Sequence, residues 1–252
     1  MSAESPSPDP GSRVQARGRP FEVFGELSPP SPPPPGGRRS DWVYDELSEA
    51  IRSLRLPPGA ALSEPAVAAW LQVSRAPARE AITRLADHGL VTVVPQVGTQ
   101  VAPISMRSVK DAVFIRNALE TSAFQDAIGK KDLETRELQI MVDRNRQAGL
   151  DKDPDAFFET DERLHQLVFA LAGVPHVWDL VRGTKLQLDR LRHLNLEAAI
   201  DYPEVVREHQ QIVDALDNRN EADGVEIIHQ HSYRILGDTE ELRRKHQEYF
   251  TP

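Results

Sequence analysis

Ser63-Glu-Pro-Ala-Val-Ala-Ala-Trp-Leu71 and Ser74-Arg-Ala-Pro-Ala-Arg-Glu-Ala-Ile-Thr-Arg-Leu85 decide the fold of the first half of this 252-residue chain. Ser63 is placed to N-cap a short helix carrying Ala66, Val67, Ala69, Trp70 and Leu71. Ser74 is placed to cap the next, whose buried stripe is Ala78, Ala81, Ile82 and Leu85 and whose stop is Gly89. Upstream, Asp41 to Leu54 carries apolar groups at helical spacing and ends at Leu-Pro-Pro-Gly (56–59). Downstream, Leu90 to Val94, a turn at Pro95-Gln96-Val97-Gly98 and Thr99 to Ala102 read as a two-stranded hairpin. Three short helices followed by a hairpin make a winged helix-turn-helix. Arg75 and Arg79, four apart, project from one face near the start of the third helix, where a recognition helix meets phosphates and base edges. On an isolated helix such arginines are ordinary solvated charge.

The flanking composition divides the chain further. Half of the 20 prolines lie in residues 1–37, a segment too poor in apolar groups to offset its ordering entropy and therefore expected to be disordered. Residues 38–105 form the winged-helix module, with seven basic and seven acidic groups. Residues 106–252 carry 20 basic and 28 acidic groups, so most of the net charge of −9 lies there. A neutral module beside an acidic one suits a chain of which only the first part approaches phosphate. With no cysteine, disulfides, Cys-type zinc fingers and thiol chemistry are excluded, and a reducing cytosol is the expected compartment. No run approaches the roughly 18 apolar residues of a bilayer span, and no secretory signal is visible.

After the linker, helix candidates fall at about 107–128, 132–148, 154–172, 175–198, 203–218 and 220–246, without strand patterning, so an all-α bundle of six to seven helices is expected. Four polar residues fall on its apolar faces. Asp161 and His165 interrupt the stripe Phe157, Phe158, Leu164, Val168, one turn apart. His209 lies four after Val205 and three before Ile212, and His231 three after Ile228 and four before Ile235. A single inward histidine is most often a hydrogen-bonded core residue. A carboxylate and three imidazoles facing one interior leave many polar atoms to satisfy, and a divalent cation satisfies them together. Zn²⁺ suits such a set first, with Ni²⁺ or Mn²⁺ as alternatives.

The motifs Leu56-Pro-Pro-Gly, Leu62-Ser-Glu, Val73-Ser-Arg-Ala-Pro-Ala-Arg-Glu-Ala, Gly89-Leu-Val and Val97-Gly-Thr-Gln-Val resemble the GntR family of bacterial transcription regulators. The resemblance implies DNA contacts by Ser63, Glu64, Ser74, Arg75, Arg79, Gly98 and Thr99. Two departures stand out: Pro65 occupies a position where many members have an arginine, and the wing carries Gln96 and Gln100 instead of basic groups. Fewer cationic contacts imply a flatter salt dependence. The second half, with Asp161-x-x-x-His165, Glu208-His209 and a histidine in the last helix, resembles the FCD ligand-binding domain of the FadR subfamily. That implies Asp161, His165, His209 and His231 as metal ligands, with Arg116, and more weakly Arg192, gripping an acidic effector; the alternative for Arg116 is a structural pair with Glu120. The function so implied is a homodimeric regulator, commonly a repressor, that binds a palindromic operator in the nucleoid and responds to a small organic acid. Two other readings stay open: a factor whose metal is purely structural, and a metal-dependent hydrolase, against which stands the lack of a general base in a His-Glu-x-x-His helix.

Overall fold

In the computed structural model, residues 24–25, 27–28, 30–31, 36–201 and 203–251 are described. They divide into two compact units, with the change at Ala102 to Pro103 and with residues 52–54 grouped with the second. Most of the proline-rich segment expected to be disordered lies outside the described residues. Where it is described, that expectation is corrected. Phe24 is buried, its ring centroid 5.3 Å from that of Trp70, and Trp70 Nε1 donates to Ser28 O at 3.4 Å. One aromatic anchor outweighs the local composition.

The first unit contains α1 (Arg39–Arg52), β1 (Ala61–Leu62), α2 (Glu64–Trp70), α3 (Arg75–Asp87), β2 (Val91–Val94) and β3 (Gly98–Val101). Val43, Leu47, Ile51, Val67, Ala78, Ala81 and Leu85 are fully buried, so each helix turns its apolar stripe to one shared core. Ser63 Oγ accepts from Ala66 N at 3.2 Å, capping α2 with Pro65 in its first turn. The wing is a three-stranded antiparallel sheet in the order β1-β3-β2, where two strands were expected. The added strand pairs Ala61 with Gln100 and Leu62 with Thr99. It is fixed by bonds from distant backbone, Gly59 N to Val101 O and Val101 N to Ala60 O, both 2.9 Å, for which a two-residue strand has no local alternation to show. Val94 faces Gly98 across the turn, where Gly98 takes φ +111°, a conformation that requires glycine.

The second unit is all-helical: α4 (Met106–Ile128), α5 (Arg136–Asp151), α6 (Pro154–Ala172), α7 (Val177–Thr184), α8 (Leu186–Leu194), α9 (Leu196–Asp201), α10 (Pro203–Asp217), α11 (Glu221–Gly237) and α12 (Thr239–Lys245). Helices α4, α5, α6, α10 and α11 close around Phe124, Leu138, Val142, Leu164, Phe169, Ile212, Val213, Leu216 and Ile228. Gly224 of α11 lies against the Phe124 ring of α4; a Cβ there would fall inside the ring.

Two stretches expected as single helices are broken. Residues 175–198 break at Lys185, whose fully buried ammonium pairs with Asp189 Oδ1 (2.7 Å) and Glu162 Oε2 (2.6 Å). Residues 220–246 break at Asp238, whose carboxylate accepts from Asn195 Nδ2 at 2.9 Å. In both places a side-chain pair from another helix sets the break, and local helix propensity does not. The chain ends by pairing back on the start of the unit: Ile104 N donates to Tyr249 O (2.7 Å) and Thr251 N to Ile104 O (3.0 Å).

Candidate metal centre and nucleic-acid interface

Asp161, His165, His209 and His231 meet in the interior of the helical unit. Each offers one ligand atom, all within 4.8 Å of one another, and all four side chains are buried. Asp161 and His165 come from successive turns of α6, His209 from α10 and His231 from α11.

The outward nitrogens of the three imidazoles are each taken. His165 Nδ1 is 3.1 Å from Glu120 Oε2, His209 Nδ1 3.2 Å from Asn145 Oδ1, and His231 Nδ1 3.1 Å from Glu208 Oε2. Burial raises the Glu120 and Glu208 carboxyls, but the charges and hydrogen bonds around them win. Arg116 and His165 hold Glu120 well below the ordinary range, and His231 and Arg234 hold Glu208 at about 2. Both are therefore acceptors, and the facing Nδ1 atoms are the donors. Asn145 is oriented too: its amide nitrogen donates to Phe157 O (2.8 Å) and Thr160 Oγ1 (3.0 Å), which turns its oxygen to His209. Burial holds His165 and His231 below the ordinary imidazole range, His231 at about 3, so both rings are neutral.

With every Nδ1 donating, the three Nε2 atoms carry lone pairs, and these converge. His165 Nε2 and His231 Nε2 are 3.1 Å apart. His209 Nε2 is 3.3 Å from Asp161 Oδ1 but not aligned for a hydrogen bond, and it has no hydrogen-bond partner. Burial raises the Asp161 carboxyl, yet Arg192 and the histidines hold it well below the usual value, so it is ionised as well. Facing lone pairs and a carboxylate in a buried space require a cation. The donor set, three imidazoles and one carboxylate with hydrogen-bonded backing, fits a divalent first-row metal.

Two arginines adjoin the cluster. Arg116 Nε donates to Glu120 Oε1 (2.7 Å), and its Nη2 lies 2.6 Å from His165 Nε2 and 3.5 Å from His231 Nε2. Arg192 pairs with Asp161 Oδ2 and with Glu162 Oε1 (2.6 Å), while its guanidinium lies over the Phe158 ring at 4.5 Å. Both line a cavity of about 680 Å³ that reaches the cluster at Asp161 and His231. The sequence reading paired Glu120 with Arg116 but missed its contact to His165, the backing role of Glu208, and Asn145 altogether. Asn145 carried a signal, lying three residues after Val142 and three before Ala148 on the buried side of α5.

In the first unit, Ser74, Arg75, Arg79 and Gly98 are exposed and Ser63, Glu64 and Thr99 half-exposed. Ser74 sits at the N-cap of α3 without a side-chain capping bond, leaving its hydroxyl free of that duty. Arg79 is held by Glu64 through two bonds, Nε to Oε1 (2.7 Å) and Nη2 to Oε2 (3.0 Å). Arg84 is turned the other way, bonded to Asp41 Oδ1 at 2.7 Å and stacked over Tyr44 at 4.2 Å, so it braces α1.

Residues 39–101 match the gntR family of bacterial regulatory proteins, and residues 111–234 match the FCD domain. The HTH-type transcriptional repressor RspR of Escherichia coli is 32% identical over 211 residues, covering 83% of this chain and 92% of its own. The chain belongs to the GntR family, with an FCD domain. A Streptomyces ambofaciens protein described as an HTH-type transcriptional regulator in an unstable DNA locus is 34% identical over 209 residues, 82% of this chain and 88% of its own. Among solved structures, E. coli McbR/YncC is similar over 83% of this chain and 99% of its own with a TM-score of 0.68; at 19% identity that bears on fold alone. This GntR-family chain is accordingly a DNA-binding transcriptional regulator and not an enzyme, which sets aside the hydrolase reading. No helix among the described residues is long and apolar enough to cross a membrane.

Proposed function

We propose that the chain is a homodimeric repressor that grips a palindromic operator through Arg75, Arg79, Ser74 and the wing at Gly98 and Thr99. In this proposal its grip is governed by a small organic acid bound at a metal held by Asp161, His165, His209 and His231. The observation that carries it is the convergence of three histidine Nε2 atoms and an ionised carboxylate on one buried point beside a cavity lined by Arg116 and Arg192. Two-fold operators require a two-fold protein, which argues for the dimer. Repression is supported by the description of RspR.

The metal would supply a positive centre on which a carboxylate settles. Four protein ligands fill a tetrahedral Zn²⁺, whereas Ni²⁺ or Mn²⁺, which accept six, keep positions for an acid. That count favours a six-coordinate metal for sensing, and it equally supports a second reading in which tetrahedral Zn²⁺ is structural. For sensing, the acid must prefer one arrangement of the bundle over another, because a ligand bound equally in both shifts nothing.

Metal analysis of purified wild type and His209→Ala, with operator retention measured before and after chelation, tests the proposal. The expected result is about one metal per chain in wild type and a deficit in the variant, with the fold kept on chelation. Full occupancy in the variant overturns the site, and unfolding on chelation replaces sensing with the structural reading.

A further inference from the structure

Three chemistries line the 680 Å³ cavity: the cluster side with Arg116, Arg192, Asp161 and His231, an apolar set of Phe157, Phe158, Leu196, Ala199, Val205 and Ile235, and a few uncharged polar groups. Nearly all the polar lining is engaged within the protein. Arg116 and Arg192 are tied as described, Arg234 Nε donates to Glu208 Oε2 (3.0 Å), Asn195 to Asp238 (2.9 Å) and Gln230 to Glu226 (2.7 Å).

Ser232 differs. It is 2% exposed, it lines the cavity, and its hydroxyl has no hydrogen-bond partner. A serine inside a helix ordinarily returns its hydroxyl to the carbonyl four residues back, here Ile228, and this one does not. Leaving a buried hydroxyl unpaired costs stability, and such a cost persists where a ligand relieves it. Ser232 also follows His231 directly, so its Cα is about 3.8 Å from that of a cluster histidine. The spare hydroxyl therefore belongs to the end of the cavity where an acid's carboxylate would rest.

We propose that Ser232 recognises the effector, and that the effector is an apolar carboxylic acid with one hydroxyl or keto oxygen next to its carboxylate: a 2-hydroxy or 2-oxo acid with a hydrocarbon or aromatic body. This rests on the sensor reading above and adds the ligand class. A serine hydroxyl serves either oxygen, accepting from a hydroxyl or donating to a keto group. The body covers Phe157, Phe158 and their apolar neighbours. A polyhydroxylated acid would instead press several hydroxyls onto that surface, where each loses water and finds little in return.

Calorimetric titration of the metal-loaded full chain and of Ser232→Ala, compared at equal metal content, tests this with three probes: mandelate, phenylacetate and gluconate. Mandelate and phenylacetate differ by a single 2-hydroxyl. Wild type is expected to bind mandelate about fivefold or more tighter than phenylacetate, with gluconate weakest. Ser232→Ala should bring the first two within about twofold of each other while keeping phenylacetate binding. An undiminished mandelate preference in Ser232→Ala, or gluconate binding ahead of both aromatic acids, overturns the ligand class while leaving the metal sensor standing. Binding that survives chelation, or no binding of any of the three acids, overturns the sensor reading and this inference with it.

Discussion

Asn145 Oδ1 lies 3.2 Å from His209 Nδ1, and the same amide donates to Phe157 O and Thr160 Oγ1, so one uncharged side chain fixes the tautomer of a cluster histidine. Glu120 and Glu208 do the same for His165 and His231 with charge. The three Nε2 lone pairs are thus directed inward before any cation arrives.

Asn145→Leu should weaken metal binding about tenfold to a hundredfold, since backing groups of this kind carry that much affinity. Competition against a chromophoric chelator reads it directly. Wild-type affinity in the variant would mean that packing alone orients His209.

Glu64 holds Arg79 by two hydrogen bonds on the exposed face of the winged helix. It both orients the guanidinium and places a negative charge near approaching phosphates. Glu64→Gln is expected to raise affinity for random duplex a few-fold and to reduce discrimination for the operator, a bidentate base contact being worth about 1–3 kcal/mol. Gel-shift competition with specific and random DNA separates the two effects. A loss in both would place Glu64 itself on the DNA.

Gly224→Ala puts a methyl group into the Phe124 ring, joining α4 and α11 where neither backbone has room. The expected cost is about 1–3 kcal/mol, read as a lower melting temperature. Phe124→Leu in the same chain should recover part of it. A neutral Gly224→Ala would show that the two helices slide apart freely.

His193 stacks on Phe158 with ring centroids 4.1 Å apart, and its buried Nε2 has no hydrogen-bond partner. Burial first, then neighbouring guanidinium charge, lower it from 6.5 to about 3. The unfolded chain takes up this proton near pH 6.5, whereas the folded one refuses it until about pH 3. Its contribution is therefore complete above pH 6.5 and drains away as the solution is acidified. His193→Phe keeps the stack and removes the titration. Between pH 7.5 and 5.5 it should lose less melting temperature than wild type, by the equivalent of about 1 kcal/mol or less given the ring's partial exposure. Parallel curves for the two proteins would assign the acid sensitivity to other groups.

Periodicity and punctuation made the winged helix legible, because each short helix carries its own cap, stripe and stop. The convergence of Asp161, His165, His209 and His231 was legible for a related reason: each interrupts an apolar stripe, and a stripe faces a core. What was hidden depends on partners far along the chain. Strand β1 exists through Gln100 and Val101, the break at Lys185 through Glu162, and the buried Phe24 through Trp70. Glu208 was read as part of a motif beside His209, yet its carboxylate backs His231 on another helix, a geometry that adjacency in sequence conceals.

The pairing of Ile104 with Tyr249 and Thr251 has a practical corollary. Because the helical half begins and finishes at one stitched seam, it has the form of a cassette whose two free strands emerge side by side. Spliced into a surface turn of an unrelated reporter, it would need only short tethers, and its response to candidate acids could be screened with no DNA in the assay.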